Sequence, residues 1–115
     1  MELTSELISA CRKAAMSCRK SISYSSQVEP LEIDYRESLQ QCEDICFAFL
    51  HAASSNSPYL QKLIFLCMGL CEECAEHAEE KKENVFMETA FHCRNFSNML
   101  INFIPSEEGS IPVKR

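Results

Sequence analysis

Four stretches of the chain repeat apolar and cysteine side chains every three or four residues, and polar breaks divide them. A period of about 3.6 puts those residues on one face of a helix, so the pattern dictates packed helices. Leu3, Leu7, Cys11, Ala14, Ala15, Cys18 and Ile22 make the first stripe, with Thr4 or Ser5 as cap, and predict a helix from about Thr4 to Ser25. "SSQVEP" breaks it, and Pro30 suits the first turn of the next helix. Leu31, Tyr35, Leu39, Cys42, Cys46, Phe49 and Ala53 carry that helix to about Ser54. After "SSNSP", with Ser57 as cap and Pro58 as first residue, Leu63, Cys67, Leu70, Cys71, Cys74 and Ala78 point inward until about Lys82. Asn84 caps a fourth helix whose stripe is Phe86, Thr89, Cys93, Phe96, Leu100 and Phe103, and Pro105 stops it. Helices of this length on short loops predict an all-α fold, an antiparallel up-and-down four-helix bundle over 1–105, with a flexible tail over 106–115.

The rest of the composition narrows the function. At 115 residues the chain suits one domain, and 46% apolar content is too high for disorder. Two glycines and four prolines disfavour a strand-and-turn protein. A net charge of -6 lacks the basic footprint of a nucleic-acid binder. No apolar run is long enough to span a membrane and no leader pattern opens the chain, so a cytoplasmic protein is expected, with no membrane partner. Enzymatic motifs are missing as well. There is no glycine-rich phosphate loop, no nucleophile elbow, and no second helix repeats the Glu73/His77 pair. Cys71-Glu-Glu-Cys74 lacks the strand-then-helix start that activates a redox thiol, and the chain is expected not to be an enzyme.

All eight cysteines fall on the inward stripes. Residues four apart share a helix face, with Cβ atoms about 5–6 Å apart, so Cys42/Cys46 and Cys67/Cys71 can each hold a soft ion between two thiolates. Thiolates select Cu(I) or Zn(II); zinc wants four ligands in a tetrahedron, and a helical Cys-x-x-x-Cys suits low-coordinate Cu(I) better. The same thiols serve equally as small apolar residues filling the seam, since free cysteine is among the most buried residue types. Spacing alone leaves both readings open.

The segments "CMGLCEECAEHAEE" and "HCRNF", with Cys42 and Cys46 before them, resemble the cysteine-rich four-helix-bundle copper storage proteins. The resemblance implies a bundle lined with Cys-x-x-x-Cys pairs that take many Cu(I) ions, with histidines near one end helping metal in. Carried onto this chain it implies Cu(I) held by Cys42, Cys46, Cys67, Cys71 and Cys74, while His77 and His92 flank the stripe, His51 lies off it, and Met68, Met87 and Met99 are soft side chains that also fill core gaps. The chain departs from the pattern where Phe96, Leu100, Phe103 and Ala78 stand at seam positions that the family fills with thiols. These departures imply an interrupted interior that keeps the bundle and loses most of the storage.

The surface offers another lead. Glu72, Glu73, Glu76, Glu79, Glu80 and Glu83 share one side of the third helix, and Arg12, Lys13, Arg19 and Lys20 form a basic patch on the first, usually its diagonal neighbour. Single-sign faces steer association. Glu72, Glu76, Glu79 and Glu83 with Arg12 and Arg19 are therefore the candidate partner-binding residues, for another protein or for a second copy in a homodimer. The leading expectation is a non-enzymatic protein-binding regulator or inhibitor, for instance of a bacterial effector enzyme such as a ubiquitin-modifying one, needing no cofactor. The alternative is a cytosolic Cu(I) store.

Overall fold

The computed structural model describes residues 3–27 and 31–104. Helix α1 spans Ser5–Gln27, and Thr4 is its cap, because the Thr4 hydroxyl accepts the Leu7 backbone N–H at 3.1 Å. Removing that acceptor in Thr4→Ala is expected to lower the unfolding free energy by about 1 kcal/mol, read from the midpoint of a urea titration at unchanged slope.

Helix α2 spans Ile33–Ser54. It starts later than the sequence suggests, with Glu32 at the N-cap position, and Pro30 lies outside the described residues. Its end is a Schellman turn. Asn56 takes a left-handed φ of 55°, the Ser57 N–H reaches the Ala52 carbonyl at 2.9 Å, and the Asn56 N–H reaches Ala53 at 3.4 Å. The Ser57 hydroxyl then accepts the Tyr59 N–H, so Ser57 and Pro58 belong to a turn and α3 begins at Leu60. Helix α3 spans Leu60–Glu79, ending short of Lys82, which sits at φ 72° where a helix cannot continue. Helix α4 spans Asn84–Leu100 with Glu83, not Asn84, at the N-cap position, and a 3₁₀ turn, Ile101–Phe103, follows it. Pro105 and the tail 106–115 lie outside the described residues.

The four helices form an antiparallel up-and-down bundle. Each packs on its chain neighbours, α4 closes the ring against α1, and α1 and α3 are diagonal. Along the α1–α4 seam Thr89 donates to the Ser17 carbonyl at 3.0 Å and accepts from the Ser21 hydroxyl at 2.6 Å. These short polar side chains satisfy one another where the two helices meet. Aromatic pairs stand toward both ends of the core: Phe49 on Phe96, centroids 5.5 Å apart, and Tyr35 on Phe86 at 5.6 Å, both edge-to-face. On α3 the inward stripe runs through Leu60, Ile64, Cys67, Cys71, Cys74 and Ala78, while Leu63 and Leu70 are half-buried on its flanks. No helix among the described residues is long and apolar enough to cross a membrane.

Candidate metal centre

Spacings of three, four and seven keep the cysteines on the inward stripes, and all eight thiols are fully buried and unpaired. Two groups form. Cys18, Cys42, Cys74 and Cys93, one from each helix, have sulfurs all within 4.8 Å of one another. Cys42, Cys46 and Cys71 make the second group by the same measure, so Cys42 belongs to both. Its Sγ lies 3.7 Å from Cys93 and 3.6 Å from Cys71, and Cys18 stands 4.0 Å from Cys93. Cys11 donates its S–H to the Cys46 carbonyl at 3.3 Å, and Cys67 to the Ile45 carbonyl at 3.7 Å. The result is a column of sulfur along the bundle axis.

Hydrogen bonds among the thiols shift their acidities in opposite directions. The S–H of Cys18 donates toward Cys93 and, with Cys71 and Cys74 and against Cys42, lowers that thiol to about 6. Cys42 is lowered in the same way, by Cys18 first and then Cys46, Cys71 and Cys74. The donors move the other way: Cys18 and Cys71 rise, each chiefly through its bond to Cys42, and Cys46 rises through Cys11. Burial raises Cys67. Thiolates surrounded by thiols and apolar carbon lack a counter-charge, which a soft cation supplies.

Of the thiols singled out from the sequence, Cys42, Cys46 and Cys71 come together in one group, Cys42 and Cys74 in the other, and Cys67 stands beside Ile45. Spacing did not single out Cys18 and Cys93, which complete the four-thiol group. Beyond Cys93 the inward stripe of α4 carries apolar side chains in place of thiols, as the departures from the family pattern implied. Phe96 and Leu100, one and two turns beyond Cys93, line the α4 wall, while Cys42 connects Cys93 to Cys71 and the sulfurs continue on the other helices. Ala78 lies one turn beyond Cys74, past the group rather than inside it. Phe103 is half-buried in the 3₁₀ turn.

No histidine joins either group. His77 stacks on Tyr35 with centroids 5.8 Å apart, His51 is exposed, and His92 lies in a surface groove with Lys13, Met16 and Lys20, where burial lowers its pKa. Met68 and Met99 pack against the core and Met87 is exposed. Much of the charged surface is engaged within the bundle. Arg94 of α4 donates to Glu79 at 2.7 and 2.9 Å and also to Glu72, holding the Glu79 carboxyl below its usual range. Arg19 clasps the buried Glu43 at 2.7 and 3.2 Å. Glu76, Glu83 and Arg12 are exposed.

The family model described as Csp, copper storage protein, matches residues 1–102. The fold is similar to that of the Cu(I)-bound copper storage protein BsCsp3, with a TM-score of 0.78 at 17% identity over 87% of this chain and 96% of that one. No curated protein matches. The family match and this structural likeness overturn the expectation of a protein-binding regulator or inhibitor of an effector enzyme.

Proposed function

The chain belongs to the copper storage protein family, and from that premise we propose that it binds Cu(I) as cargo along its thiol column, without catalysing a reaction. The carrying observation is that two buried thiol groups share Cys42 and so make one continuous site. Cu(I) is soft, accepts two or three sulfurs, and needs neither water nor carboxylate. Each ion displaces S–H protons from the sulfurs it joins. The aromatic and aliphatic walls keep water and oxidants from the sulfurs. Eight unpaired thiols also favour a reducing compartment such as the cytosol.

Anaerobic titration of the reduced protein with Cu(I), against a competing chelator, tests the reading. Eight thiols at two per ion give an expected uptake of at least about four Cu(I) per chain. Absence of tight uptake removes the proposal.

A further inference from the structure

We propose that Cys18, Cys42, Cys74 and Cys93 also form a tetrathiolate site for a single divalent ion of the zinc class, one that binds all four helices to a common centre. The proposal shares its thiols with the Cu(I) reading but rests on geometry that Cu(I) does not require.

A pair of thiols four apart on one helix offers an ion two donors from one side. This group offers four donors from four directions, because each helix contributes one. Four sulfurs around an ion at the usual Zn–S bond of about 2.3 Å lie about 3.8 Å apart in a tetrahedron. The separations here are 3.7 Å for Cys42–Cys93 and 4.0 Å for Cys18–Cys93, and every pair lies within 4.8 Å. The sulfurs therefore need only small movements to enclose the ion. All four are fully buried, and no histidine joins the group, which matches the closed, all-sulfur character of structural zinc sites.

Loading balances as one divalent cation in and four thiol protons out, leaving a complex of charge -2 inside the core. Such a complex needs hydrogen-bond donors, and in regular helices the backbone N–H groups are already used. Tyr35 supplies one. It is 1% exposed, and its hydroxyl is one of two buried side-chain polar atoms without a partner among the described residues. Burial raises its pKa, so the phenol keeps its proton and can donate. A phenol left unpaired in the empty bundle costs free energy that a bond to a metal-bound thiolate recovers.

Co(II) is the probe for the test, with reduced full-length protein under anaerobic conditions. The expected result is the visible ligand-field spectrum of tetrahedral Co(II) with strong sulfur charge-transfer bands, saturating at one ion per chain and erased by added Zn(II). Cys18→Ser and Cys93→Ser should each weaken binding by more than about 100-fold, since losing even an outer partner costs about 10–100-fold. Tyr35→Phe should weaken it by roughly tenfold and keep the tetrahedral spectrum. Cys67→Ser, outside the group, should leave it within about threefold.

An octahedral spectrum, uptake beyond one ion, or equal damage from Cys67→Ser overturns the site. The wild-type spectrum and stoichiometry decide the matter even where a serine variant fails to fold. A Cu(I) titration of the same preparation separates the two readings. Uptake of Cu(I) without Co(II) overturns this inference alone, and uptake of neither overturns both.

Discussion

A Cys42→Ser protein is expected to lose more Cu(I) than any other single thiol variant. Cys42 meets Cys93 at 3.7 Å and Cys71 at 3.6 Å and is the thiol that belongs to both groups. Replacing its sulfur with a hard hydroxyl removes the one side chain common to both groups. Capacity should fall by about half, and the remaining ions should bind at least about tenfold more weakly, because ions bridged through one sulfur support each other's placement. Cys67→Ser is the comparison, and it should remove about one ion at most. Competition titrations of the two variants measure the difference. Equal losses would show that no thiol is shared in the way the structure places Cys42.

The largest stability effect should come from a residue that binds nothing. Phe96 is fully buried and meets Phe49 edge-to-face at 5.5 Å. Phe96→Ala is expected to cost about 3–5 kcal/mol in unfolding of the apo protein. That is a large share of the roughly 5–15 kcal/mol that stabilises a domain. Urea unfolding followed by far-UV circular dichroism reads the change directly. The wild-type apo bundle should be fully helical and cooperative, with a strong thiol chelator changing neither signal nor midpoint. A bundle that gains its helicity only on adding metal would mean that the ion, and not Phe96, Phe49, Leu7, Ile64 and Leu100, assembles the core.

The helices and the inward placement of every cysteine were legible in the sequence because both follow from periodicity within one segment. The four-thiol group was not. Cys18 and Cys93 are 75 residues apart, and their meeting depends on the register of α1 against α4, which spacing along either helix does not carry. Phe96 and Leu100 were legible as core residues at seam positions. Both are fully buried, and Phe96 meets Phe49 edge-to-face, so they fill the interior beyond Cys93 as their positions on the stripe suggest. Helix ends were less legible than helix middles. Ser57 has the chemistry of a cap but serves a turn, and Lys82 adopts a left-handed backbone that its side chain does not announce. The acidic face of α3 was visible as a run of glutamates, yet nothing in that run foretells that Arg94 of α4 neutralises Glu72 and Glu79.

The apolar wall of α4 has a consequence for how such a container can change over generations. Here the hold and the hull are one volume, since the sulfurs stand where an ordinary bundle keeps its leucines. A cysteine at the position of Phe96 or Leu100 would add a place for cargo and remove an anchor of the empty shell. Capacity and robustness when empty are thus opposite ends of a single dial, turned by substitutions on one face of one helix.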